Sequence, residues 1–228
     1  MSNAMGGTLP SLVLFDLDDT LCDHYSSLRL RLRFAFEGIV EGFDEVDLDD
    51  LVEASALQSV TGTDHFAELL RQRGIDDPAR AELAAERYLS DRYRGLVLFE
   101  ESLEVLAVIR RHTRVGMITN GPSQIQRDKI RLLEIGELFP IILVSEEEGV
   151  WKPDPVIFAR ALARAGATPS DALYVGDSPE HDIAGARAAG LTSAWINRRR
   201  RSWPGGTPPD HEIEDLRQLV KLLGIAEK

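Results

Sequence analysis

The apolar residues of this chain change their rhythm near residue 100. Leu12-Val13-Leu14-Phe15 is a brief run, greasy on both faces, which is the pattern of a fully buried strand. No second run of that kind follows until residue 98. Apolar positions recur there at helical spacing: Leu28, Leu32, Phe36 and Ile39 over 25–40, then Leu48, Leu51, Val52 and Leu57 over 47–60. Thr63 or Asp64 can cap a third helix carrying Phe66, Leu69 and Leu70 and ending at Gly74, and Pro78 opens a fourth through Leu83, Tyr88 and Leu89. Beyond residue 100, short apolar runs alternate with amphipathic stretches. They predict strands at 115–118, 141–144, 172–175 and 192–196, and helices at 101–112, 123–135, 155–165, 179–189 and 213–223. This alternation predicts an α/β fold with a doubly wound, mostly parallel sheet. The helical block reads as an insertion, an all-helical cap domain over 23–95 set into a core of 1–22 and 96–228.

The polar residues that interrupt the apolar runs carry the candidate chemistry. Asp16 and Asp18 follow the first strand, Thr119 and Asn120 the second, and Asp177 the fourth, while Lys152 lies in the loop after the third. Open parallel sheets bind ligands outside the carboxyl ends of their strands, so four segments converge on one crevice. Asp16, Asp18 and Asp19 at the mouth of a buried strand repel one another and are costly to desolvate. A hard divalent cation such as Mg²⁺ would compensate them. An acidic turn is the plain reading of one Asp-x-Asp. An EF-hand loop starting at Asp16 fails, because Leu21 stands where glycine is needed and Ser27 where the bidentate glutamate belongs.

Composition narrows the setting. A chain of 228 residues with 43% hydrophobic and 28% charged positions is an ordinary globular protein. Its net charge of -12 argues against nucleic acid or an anionic membrane as the main partner. No apolar run is long enough to span a bilayer. The single cysteine, Cys22, excludes an internal disulfide and fits a reducing cytosol, so a cytoplasmic protein is expected. Met1-Ser2-Asn3-Ala4 before Met5 has the look of an expression remnant.

Four motifs together resemble the haloacid dehalogenase superfamily of phosphohydrolases: Asp16-Leu17-Asp18-Asp19-Thr20, Ile118-Thr119-Asn120-Gly121, Lys152-Pro153-Asp154-Pro155 and Gly176-Asp177-Ser178-Pro179-Glu180-His181-Asp182. Their order and spacing match, and the insertion after the first strand is similar to that family's helical (subfamily I) cap on a Rossmann-like core. The resemblance implies a Mg²⁺-dependent phosphatase acting on a small-molecule phosphate ester. Asp16 would be the nucleophile that forms an aspartyl-phosphate. Asp18 would protonate the leaving oxygen and then deprotonate water. Asp16, Asp177 and the backbone carbonyl of Asp18 would bind the metal. The Thr119 hydroxyl and the Asn120 N–H would hold phosphoryl oxygens, and Lys152 would neutralise charge. Asp182, and with it Glu180, would orient metal-bound water or Lys152 from behind the ligands.

Asp18 favours a phosphate ester over a carbon–halogen bond, since the dehalogenase pattern lacks the second acid. A 2-haloacid dehalogenase-type hydrolase, a phosphomutase and a phosphorylatable regulatory module without turnover stay open as alternatives. Residues 119–121, 195–198 and 209–213 are most similar to nucleotidase and acylneuraminate-phosphatase members. Substrate choice is expected in the cap, with hinges at 21–24 and 95–100. Arg29, Arg31 and Arg33 cannot all face one side of a helix, and a solvated face is the expectation for them. The arginine run 198–201 reads as a solvated or partner-contacting loop, with a phosphate clamp as the alternative.

Overall fold

The computed structural model describes residues 9–56 and 62–226. The expected remnant 1–4, and Leu57 and Val60 of the second expected helix, lie outside those residues. The chain divides after Asp23 and again after Val97 into two compact units. β1 (Leu12–Phe15) opens the first unit. The second holds α1 (His24–Phe36), α2 (Glu45–Ala56), α3 (Thr63–Arg71) and α4 (Pro78–Ser90). The first then resumes with α5 (Ser102–Ile109), β2 (Arg114–Thr119), α6 (Ser123–Leu132), β3 (Ile142–Val144), α7 (Ser145–Glu148) and α8 (Pro155–Ala165). It ends with β4 (Ala172–Gly176), α9 (Ala184–Ala188), β5 (Thr192–Ile196), β6 (His211–Ile213) and α10 (Leu216–Leu222).

The sheet runs β3-β2-β1-β4-β5-β6, and every neighbouring pair is parallel. β1 lies between β2 and β4, with Leu14 opposite Gly116 and Tyr174. All four β1 residues are buried, as a strand covered on both faces requires. Leu12, Leu14, Ile118, Leu143, Phe158 and Tyr174 belong to one core cluster with α8. α8 is bounded by its own sequence. The Asp154 side chain accepts from Val156 N, Pro155 occupies the first turn, and Gly166 ends the helix at φ +60.

In the helical unit, Phe66 packs with its ring centroid 5.8 Å from Phe36 and 5.2 Å from Tyr88. Asp77 caps α4 by accepting from Ala79 N and Arg80 N, with Pro78 at the first position. The three α1 arginines separate as their spacing demands. Arg29 and Arg33, four apart, pair with Glu45 of α2, and Arg29 also with Asp49. Arg31 departs from the solvated face expected of it: it is buried and lies 3.8 Å from the Tyr88 ring centroid, where the aromatic face takes the guanidinium.

Four further expectations are corrected. A sixth strand, β6, contains Ile213, so the last helix starts only at Leu216. Ser193 N and Oγ both bond Asp210 Oδ2 (2.9 and 2.7 Å), which brings the short segment beside β5. Three residues behind two prolines are too few to show a strand period. The helix expected over 179–189 begins with a π-helical turn over Pro179–Ile183 before α9. The helix expected over 123–135 ends at Leu132, with Glu134 at φ +55. Gly62, rather than Thr63 or Asp64, precedes α3, and no side chain caps it.

Candidate active site

The carboxyl ends of β1, β2 and β4 and the loop after α7 supply the polar side chains of the first unit. Lys152 is 3% exposed, and its Nζ donates to Asp16 Oδ1 at 2.5 Å and Asp182 Oδ1 at 2.6 Å. Its backbone is held by the Asn120 side chain, which donates to Lys152 O and accepts from Lys152 N, both at 2.9 Å. The residue after β2 therefore positions the lysine through two bonds. Asp182 Oδ2 accepts from Ser178 N at 3.0 Å. Its approach needs glycine at position 176, where a Cβ would lie 2.4 Å from the Asp182 carboxyl. Asp19 takes the left-handed conformation (φ +56) that aspartate tolerates, in the tight loop where Leu21 N and Cys22 N both bond Leu17 O.

Burial pushes the Asp16 carboxyl up to about 7, with Asp182 and Asp18 acting the same way and the Lys152 ammonium opposing them. Burial alone would lower Lys152, but the facing Asp16 and Asp182 carboxylates outweigh it and hold the ammonium above its usual value. Asp177 is also pushed well up, first by burial, then by Asp182, Asp19 and Asp16. Asp16, Asp177 and Asp182 each offer an oxygen within 4.8 Å of the others. Three hard oxygen donors whose charges repel are a set that fits Mg²⁺.

Of the residues expected in the site, Asp16, Lys152, Asp177 and Asp182 gather in this cluster, and Asn120 bonds to it. Thr119 is buried at the end of β2. The Asp18 carboxylate is held apart, on α6, by Lys129 at 2.7 Å. Glu180 is exposed and is not brought in, because the wide π turn directs Asp182 inward instead. The arginine run is tied to its own chain. Arg198 donates to Thr20 O (2.9 Å) and pairs with Glu101 (2.7 Å), Arg200 pairs with Glu214, and Arg201 donates to Asp177 O.

Three buried residues went unnoticed in the sequence. The Tyr174 hydroxyl accepts from Lys152 Nζ and lies 3.0 Å from Asp182 Oδ1. A tyrosine in an otherwise aliphatic buried strand needs a partner, and that signal was available. Lys129 and Gln126 contact Asp18 from α6, and no periodicity marks them.

A family model for haloacid dehalogenase-like hydrolases matches residues 10–190. A phosphoserine phosphatase from Thermus thermophilus is 36% identical over 155 residues, which span 68% of this chain but only 61% of that protein. A glyceraldehyde 3-phosphate phosphatase from Methanopyrus kandleri is 33% identical, covering 92% of this chain and 96% of its own. An N-acylneuraminate-9-phosphatase from Mus musculus is 29% identical with 96% of each chain covered, in line with the expected similarity to acylneuraminate-phosphatase members. Among solved structures, the HAD-hydrolase YfnB from Bacillus subtilis, bound to magnesium, superposes with a TM-score of 0.79 at 25% identity, over 95% of this chain and 99% of its own. The chain belongs to the haloacid dehalogenase-like hydrolase family, and these relatives support a hydrolase of phosphoric monoesters.

Proposed function

We propose that this protein hydrolyses a small-molecule phosphomonoester in two displacements through Asp16. The observation that carries the reading is the buried Asp16–Lys152–Asp182 cluster, with a second carboxylate, Asp18, two residues beyond Asp16. Asp16 Oδ attacks phosphorus, the bond to the leaving oxygen breaks, and Asp18 delivers a proton to that oxygen. Water then attacks the phosphoryl group, Asp18 takes its proton, and the Asp16 carboxylate is released with inorganic phosphate. Lys152 balances charge beside Asp16, and Thr119 and the Asn120 N–H hold phosphoryl oxygens. Mg²⁺ held by Asp16, Asp177 and the Asp18 carbonyl would supply neutralisation of the phosphoryl charge. Asp182 keeps Lys152 in place, with Tyr174 behind both. Carbon–halogen cleavage would leave the acid at Asp18 unused. A cytoplasmic location is part of the same proposal.

The test is p-nitrophenyl phosphate hydrolysis with and without Mg²⁺. Metal-dependent release is expected, and rates independent of metal would remove the ion from the scheme. Asp177→Asn should shift the Mg²⁺ titration upward by roughly tenfold or more, with an unchanged titration counting against Asp177 as ligand. Asp18→Asn should cost about 10²-fold or more in kcat/KM on alkyl phosphates and far less on p-nitrophenyl phosphate, whose leaving group needs no proton in the first displacement. Equal losses on both esters would contradict the assignment of Asp18 as acid.

A further inference from the structure

The two buried lysines beside the strand ends divide the carboxylates between them. Lys152 takes Asp16 and Asp182, and Lys129 takes Asp18, with its Nζ 2.9 Å from Oδ1 and 2.7 Å from Oδ2. Lys129 is 5% exposed and Gln126 2%, one turn apart on the same face of α6. The Gln126 amide donates to Asp18 Oδ2 at 3.1 Å and also to Thr119 Oγ1. It thereby links the end of β1 to the end of β2. Because Thr119 Oγ1 accepts from Gln126, its own hydroxyl proton is left to donate elsewhere.

The platform beneath these two residues is itself fixed. Arg127 pairs with Glu147 of α7 at 2.6 Å, and Ser123 N donates to Glu146 at 2.7 Å. Gly121 provides room, since a Cβ there would lie 3.1 Å from the Gln126 side chain. A buried ion pair is weak grounds for stability, because an apolar residue of similar volume often serves as well. Two polar side chains converging on one carboxylate and one hydroxyl therefore need another account.

We infer that Lys129 and Gln126 are positioning residues: Lys129 fixes the orientation of the Asp18 carboxyl, which carries the proton taken from water in one turnover to the leaving oxygen of the next, and Gln126 fixes Asp18 and Thr119 relative to each other. This rests on the reading of Asp18 as acid and base and Thr119 as phosphoryl donor. Both contact Asp18, and Gln126 also Thr119, rather than the Asp16 nucleophile, so each should act through its partner.

The experiment compares kcat and KM on glycerol phosphate, a poor leaving group, and p-nitrophenyl phosphate, a good one. Lys129→Met should lower kcat/KM, which reports the first displacement alone, roughly tenfold to a hundredfold on glycerol phosphate and by less than about threefold on p-nitrophenyl phosphate. Lys129→Arg, which keeps the charge, should recover part of the loss. Gln126→Leu should depress both esters, because it also releases Thr119. Equal losses of kcat/KM on both esters for Lys129→Met, or no loss at all, would overturn the inference. Melting Lys129→Met beside wild type separates a folding defect from these outcomes. If the wild type turns over neither ester, the phosphatase reading fails, and a crystal structure of Lys129→Met still decides positioning. An Asp18 carboxylate rotated or split between rotamers supports it, and one left in place overturns it.

Discussion

Asp16→Asn is expected to abolish turnover, with a loss of at least about 10⁴-fold in kcat on every phosphate ester, while the protein stays folded. The amide has nearly the shape of the carboxylate but no oxygen able to attack phosphorus, so the first displacement has no nucleophile. The fold should survive because burial already pushes this carboxyl up to about 7, so that ionised Asp16 is held against a desolvation cost. Lys152 keeps Asp182 and Tyr174 as partners after the change. The measurement is steady-state release of phosphate beside thermal melting. A folded Asp16→Asn protein that retains appreciable turnover would overturn covalent catalysis at this residue. Burst-phase labelling of the wild type, absent in the variant, would support it.

Lys152→Met is expected to be inactive and also strongly destabilised. The ammonium faces two buried carboxylates, and Asp182 is 1% exposed. Removing one partner of a buried pair leaves uncompensated charge and costs about 3–5 kcal/mol. That corresponds to a fall in Tm on the order of 10 °C for a chain of this size. The deficit has a defined pH dependence. A carboxyl whose folded pKa lies above its unfolded value destabilises the protein when ionised, fully above the folded pKa and not at all below the unfolded one. For Asp16 those values are about 7, even with the lysine present, and 3.8. The gap in Tm between variant and wild type should therefore narrow as pH falls from 8 toward 5. A gap that stays constant with pH would assign the destabilisation to lost packing of the lysine stem. Lys152→Met combined with Asp182→Asn should recover part of the loss, since the second change removes one of the stranded charges.

The order of elements and the addresses of Asp16, Thr119, Asn120, Lys152 and Asp177 were legible from residue patterns. Strand and helix periods are local, and a buried parallel strand must end where its apolar run ends. Any polar residue at that end is delivered to the same edge of the sheet. Glu180 shows where this reasoning stops. It stands two residues before Asp182 in the same motif, and only the π turn decides that Asp182 is buried while Glu180 is exposed. β6 was invisible for a related reason, as its pairing rests on Asp210 bonding Ser193 seventeen positions earlier.

An α/β sheet with a helical insertion and an edge rich in carboxylates is thus written in local patterns, because periodicity and motif spacing act over short stretches of chain. Which cation answers which carboxylate is set instead by packing between distant segments. Lys129 meets Asp18 across 111 positions and Lys152 meets Asp16 across 136, and Tyr174 closes the cluster from inside β4. Such pairings depend on how α6 and the loop after α7 pack against the ends of the strands, and no local pattern encodes that geometry.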